Sequence, residues 1–257
     1  MSDDVLLKRV AGGVATLTLN RPAKRNALNG ALVAALQDAF DSAARDDTVR
    51  VVALRGAGKD FCAGADLAEL ERISDMSEAE NLADARALGR LLITMRRLPK
   101  PVVAVVEGRA LAGGCGLATA CDVVLAREDA ELGYPEVHLG FVPAMVMAIL
   151  RRKVTEGAAF ELVVGGHGVS AAEARALGLV TRVLPASGFD EAVAAYLEDL
   201  ATRPPTAVAL TKRLLYDLGD LGLEEGVELG ARVNVEARMT DACRAGVRRF
   251  LEGKRGR

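Results

Sequence analysis

The stretch that most constrains this chain is a run of β-branched residues that ends in glycines. Val102-Val103-Ala104-Val105-Val106 lies between Pro101 and Gly108, and Gly113, Gly114 and Gly116 follow it. Such a run predicts a buried strand. After the glycines, Leu117-Ala118-Thr119-Ala120-Cys121 reads as a short helix, so the chain turns tightly and enters it. The first N–H groups of a helix have no partner inside it, and together with the helix dipole they favour negative charge. A tight turn that needs glycine only for its φ angles accounts for the same residues equally well.

Two nucleotide-binding patterns fail here. Gly108 to Gly113 has the spacing of a phosphate loop, but Gly114 and Cys115 stand where the lysine and hydroxyl are required. Gly114-Cys115-Gly116-Leu117-Ala118 begins a dinucleotide fingerprint, yet Thr119 occupies the last glycine position. What remains is an anion hole suited to charge that forms transiently on a carbonyl oxygen. A second small-residue turn, DFCAGADL at 60–67, follows a strand over 51–54 and precedes a helix. Two turns can supply the two donors such a hole needs.

The chain has 257 residues, 51% of them hydrophobic and 26% charged, which predicts a globular protein of one or two domains. A formal net charge of −2 gives no general pull on nucleic acid or anionic membrane. No apolar run approaches the ~20 residues of a membrane span, and the acidic start MSDDVLLKRV lacks a signal-peptide core, so a cytoplasmic protein is expected. Cys62, Cys115, Cys121 and Cys243 have no paired spacing and the two histidines, His138 and His167, stand apart from them, so neither zinc nor a disulfide framework is implied. The cysteines read as small core residues.

Along the chain, residues 5–10 and 14–20 alternate around Gly12-Gly13 as a β-hairpin. Asn29 is placed to cap a helix carrying Leu32, Val33, Leu36, Ala39 and Phe40 at helical spacing. A strand at 50–54, a helix over 78–98 and the strand at 102–106 repeat the alternation. Helices are predicted at 143–152 and 170–177, the second with Ser170 capping and Glu173 at the box position, and a strand at 179–184. From Gly188 onward only helices are predicted, interrupted by Pro204-Pro205 and resuming at 206–217, 223–238 and 241–251.

Four blocks, RPAKRNALN at 21–29, FCAGADL at 61–67, KPVVAVVEGRALAGGCGLATACD at 100–122 and GYPEVHLGFVP at 133–143, together resemble the crotonase superfamily of enoyl-CoA hydratases and isomerases. The resemblance implies an α/β fold, a crotonase-like (ClpP/crotonase) spiral of β-β-α units over 1–187. It also implies a helical oligomerisation region over 188–257 that assembles trimers or hexamers. No cofactor is implied, coenzyme A being part of the substrate.

By the same resemblance, the backbone N–H groups of Ala65 and Gly113 are the oxyanion donors, and Lys24 or Arg25 contacts the coenzyme A phosphates. Substrate contact extends to Ala27, Ala63, Asp66, Leu67, Gly114, Gly116, Tyr134 and Phe141, with Asp66 also read as holding its turn or capping the next helix. Hydrating relatives carry two glutamates. This chain keeps the second as Glu136 and has Gly116 at the first. The apolar neighbours of Glu136 predict partial burial and a raised pKa. His138, two residues on, would share its side in an extended segment, whereas His167 reads as a loop residue. The basic run from Arg248 to Arg257 lacks the interleaved aromatics of a nucleic-acid surface and is read as a solvated tail or a coenzyme A contact.

Overall fold

A computed structural model describes residues 4–255. The hairpin pairs β1 (Leu6–Ala11) with β2 (Val14–Leu19) across Gly12-Gly13, both at positive φ, the two-residue turn that suits the twist of the flanking strands. Helix α1 (Gly30–Arg45) starts where the Asn29 side chain accepts the Leu32 N–H. Next come β3 (Val51–Gly56), α2 (Leu67–Asp75), α3 (Glu78–Arg97) and β4 (Val102–Val106). α3 begins with a full capping box formed by Ser77 and Glu80. The chain then runs through β5 (Arg109–Leu111), α4 (Gly113–Ala120), β6 (Val123–Arg127), β7 (Glu131–Gly133), a 3-10 turn at Pro135–Leu139, and α5 (Ala144–Leu150). After it stand α6 (Glu156–Gly165), β8 (Val169–Ser170), α7 (Ala171–Ala176) and β9 (Arg182–Leu184). The helices α8 (Phe189–Ala201), α9 (Pro205–Asp217), α10 (Leu223–Arg238) and α11 (Asp241–Arg255) close the described chain.

Six strands form one sheet in the order β1-β2-β3-β4-β6-β9, parallel except for the hairpin, and β5-β7-β8 form a second, smaller one. Both faces of the large sheet are covered, as a parallel sheet requires. In β4, Val102, Ala104 and Val106 face the main core with α1, α3 and α4, while Val103 and Val105 face a second cluster with Phe189, Val193 and Leu197 of α8. The first helix of the C-terminal region therefore seals the sheet, and α9 to α11 leave Val227, Val235, Met239 and Phe250 exposed.

Three local expectations change. α4 begins at Gly113 rather than after the glycines, and none of its glycines has positive φ; the unusual backbone falls on Ala112, at φ 49°. Gly114 is required instead by packing, because a Cβ there would lie 2.2 Å from the Cys62 carbonyl oxygen. The strand expected at 179–184 starts only at Arg182, since the N–H groups of Leu179 and Val180 both turn back to the Ala174 carbonyl. α6 was not predicted: Phe160 and Val164 face outward among inward-facing Leu162 and Val163, which erases the helical period.

Candidate active site

The two small-residue turns meet. Cys62 donates its N–H to the Arg109 carbonyl at 3.0 Å and accepts the Leu111 N–H at 2.9 Å, so 61–64 runs as a parallel neighbour of 109–112. A Cβ on Gly64 would lie 2.8 Å from the Ala112 Cβ. On its other side, the segment is held by Leu28, which donates to the Gly64 carbonyl at 2.7 Å and accepts the Asp66 N–H at 3.0 Å. In extended chain, successive N–H groups alternate sides. With the Gly64 carbonyl and the Asp66 N–H facing Leu28, the Ala65 N–H faces away from it. Among the described residues, neither this N–H nor that of Gly113 meets a protein acceptor.

Buried Asn26 stabilises the supporting loop. It adopts φ 56°, accepts the Arg21 N–H at 2.9 Å, and donates to the carbonyls of Ala57 and Asp60 at 2.8 and 2.7 Å. Arg21 pairs with Asp66 at 2.5 Å and holds that carboxyl below the usual range, while Asp66 caps α2 through the Ala68 N–H. The expected structural role of Asp66 is thus the one its contacts describe.

A cavity of about 1040 Å³ opens in front of both turns, lined by Ala63, Ala65, Gly113, Gly116 and Glu136, with Val33, Leu88, Phe141, Met145 and Val146 among its apolar walls. Glu136 is half-buried, and its Oε2 has no hydrogen-bond partner among the described residues. Desolvation pushes its carboxyl up, opposed only by its own backbone N–H. Glu69 and Asp84 also line the cavity, but Arg72 engages them at 2.6 and 2.9 Å, and Asp38 lines it as an exposed residue. A Cβ on Gly116 would make ordinary contact with Val146 at 3.6 Å, so the surface there is apolar.

Of the remaining sequence candidates, His138 alone lines the cavity among the described residues. Lys24, Arg25 and Ala27 lie on the loop beside the Ala65 turn and are not among the residues lining the cavity; Arg25 accepts the Ala63 N–H at its carbonyl. Gly114 and Tyr134 stand behind the wall, fully buried, with the Tyr134 hydroxyl 2.6 Å from that of Thr119. The side chain of Leu67 lies outside the described residues. His138 does line the cavity, but the extended segment expected for it is a 3-10 turn, and its Nε2 is 3.0 Å from the Gly166 carbonyl. His167 lies in the loop after α6, and the basic run is helical through Arg255, with Gly256 and Arg257 outside the described residues. Burial pushes the thiols of Cys62, Cys115 and Cys121 up to about 12, which fits core residues rather than nucleophiles. Sequence reading passed over Arg21, Asn26 and Val146; an acidic residue in an otherwise apolar turn, Asp66, was the available signal for a cationic partner.

The sequence model of the enoyl-CoA hydratase/isomerase family matches residues 9–256. A Thermus thermophilus protein carrying a provisional enoyl-CoA hydratase name is 46% identical over 94% of this chain and 95% of its own length. The Escherichia coli 2,3-dehydroadipyl-CoA hydratase is 35% identical over 93% of this chain and 92% of its own. The crystal structure of a Mycobacterium smegmatis enoyl-CoA hydratase superposes with a TM-score of 0.92 at 36% identity, covering 97% of this chain and 96% of that one.

Proposed function

Because the chain belongs to the enoyl-CoA hydratase/isomerase family, we propose that it adds water across the 2,3 double bond of an enoyl-CoA thioester. The observation that carries this reading is that two N–H groups and one buried carboxylate oxygen, all without a protein partner among the described residues, belong to residues lining a single apolar cavity. The thioester oxygen sits between the N–H groups of Ala65 and Gly113, where enolate charge is stabilised as it develops. Ionised Glu136 takes a proton from water while the water oxygen bonds to Cβ and the π electrons move to the thioester oxygen. The enolate then collapses and takes that proton at Cα. One carboxylate serves both transfers in turn, and no electron acceptor is needed.

A second reading rests on Gly116. With no second carboxylate opposite Glu136 to hold a water, Glu136 removes the Cα proton of a 3-enoyl-CoA and returns it at Cγ, moving the double bond. Purified protein assayed with a 2-enoyl-CoA in water and with a 3-enoyl-CoA separates the two. Loss of rate on both, with tight acyl-CoA binding and no exchange at the α-carbon, would instead mark a binding protein. Lys24 or Arg25 is proposed to meet the coenzyme A phosphates. A homotrimer or dimer of trimers is supported by the outward apolar side chains of α10 and α11, Phe250 at 62% exposure and Val227 at 65%. A cytoplasmic setting fits the four free cysteines, and no described helix is long and apolar enough to cross a membrane.

A further inference from the structure

Glu136 stands on a single 3-10 turn, and with Oε2 unpartnered its carboxylate takes its place from the turn beneath it. Upstream, that turn is anchored by buried Tyr134 on Thr119. Downstream, Gly140 and Phe141 donate back into the turn, to the carbonyls of Val137 and Glu136, and their N–H groups bond no other element among the described residues. Among the described residues, one side-chain hydrogen bond ties the turn itself to the rest of the molecule: His138 Nε2 to the Gly166 carbonyl, 3.0 Å, at the end of α6. Gly166 has φ 63°, and a Cβ there would lie 2.8 Å from His138 Nε2 and 2.6 Å from Val137 Cγ1. Only glycine permits so close an approach. A carbonyl can only accept, so the bond places a proton on Nε2 and occupies it.

We propose that His138 is a positioning residue: by clamping the turn to the α6 terminus it fixes the Glu136 carboxylate against the two N–H groups. The inference rests on the proposed role of Glu136. Among the described residues lining the cavity, Glu136 is the one with a buried, unpartnered carboxylate oxygen, so no second such group corrects a misplaced first, and a 1 Å error costs about 10²-fold.

The test compares His138→Leu, which removes the donor, with His138→Gln, which keeps an N–H at comparable reach, each alone and in a Glu136→Gln background. His138→Leu is expected to lower kcat roughly 10- to 100-fold while acyl-CoA Kd stays unchanged. His138→Gln should recover most of that loss, and Gly166→Ala, breaking the bond from the acceptor side, should reproduce it. In the Glu136→Gln background, His138→Leu should cost nothing further, because it acts through Glu136. Wild-type kcat in His138→Leu, or an equal loss in both backgrounds, overturns the proposal. So does a His138→Gln enzyme as slow as His138→Leu whose pH–rate profile has lost an ionisation, since the imidazole itself would then move the proton. Full turnover by Glu136→Gln alone would remove the underlying site reading, whatever the His138 variants do.

Discussion

Gly114→Ala is the substitution that most directly tests whether two converging turns make the site. The added methyl would lie 2.2 Å from the Cys62 carbonyl oxygen and 2.7 Å from the Cys62 Cβ, whereas ordinary contact begins near 3.4 Å. The first turn of α4 and the 62–64 segment must therefore separate by more than 1 Å. That carbonyl also accepts the Leu111 N–H, so the shift strains the bridge joining the two segments. Ala65 and Gly113 lie on opposite sides of the contact, and their N–H groups would no longer converge on one oxygen. A displacement of this size predicts a kcat loss of about 10²-fold, within the 10²–10³-fold typical for losing one oxyanion donor. Overpacking should cost about 1–3 kcal/mol of stability. Gly230→Ala, inside α10 and away from the cavity, is the control, since a Cβ there meets nothing within 4 Å. It should keep near-native kcat and gain roughly 0.5–1 kcal/mol from the helix interior. The assay is turnover of a 2-enoyl-CoA, followed by loss of the conjugated thioester absorbance, alongside thermal unfolding. Gly114→Ala with a lowered Tm and wild-type kcat would refute the converging-donor geometry.

Glu136→Gln should retain acyl-CoA binding while kcat falls by roughly 10²–10⁴-fold, as for loss of a general acid–base; undiminished turnover would defeat the assignment. Because burial raises the Glu136 pKa, the native protein binds more protons than the unfolded chain between the ordinary glutamate value, about 4.3, and the raised one. Its contribution to stability therefore falls as pH rises through that window, so Glu136→Gln should melt above wild type at neutral pH and the gap should close below about pH 4. Gly116→Glu should raise hydration relative to double-bond migration and move the acid limb of kcat/KM upward, since a second carboxylate further disfavours ionisation of Glu136; an unchanged product ratio would count against a role for the missing glutamate. Lys212, 8% exposed, donates to the carbonyls of Met95 and Lys100 and to Asp122 at 2.8 Å. Lys212→Met removes the cation paired with that carboxylate, which keeps the Val102 N–H and the Tyr216 hydroxyl, and should cost about 1–3 kcal/mol in urea unfolding, with kcat of the folded fraction unchanged.

What the sequence made legible follows from how far apart the deciding atoms lie. The hairpin, the Asn29 cap, the Ser170 box and the period of α1 are settled within one or two turns of chain, and the structure has all four. The glycines of α4 were seen, but their cause was not. Nothing in positions 113–116 says that Gly114 will press on a carbonyl more than fifty residues upstream, so φ freedom was the natural reading and close packing the actual one. The same holds for Asp122, whose partner Lys212 is ninety residues away, and for His138, whose acceptor lies beyond a helix that the sequence pattern concealed. The candidate donors are a different case. Ala65 carries no side-chain signal at all, and its N–H has no acceptor among the described residues because the Gly64 carbonyl and the Asp66 N–H on either side face Leu28. A candidate site made of backbone groups is visible in sequence only through the small residues that let two segments approach. The chemistry itself becomes readable once pairing decides which N–H is left over.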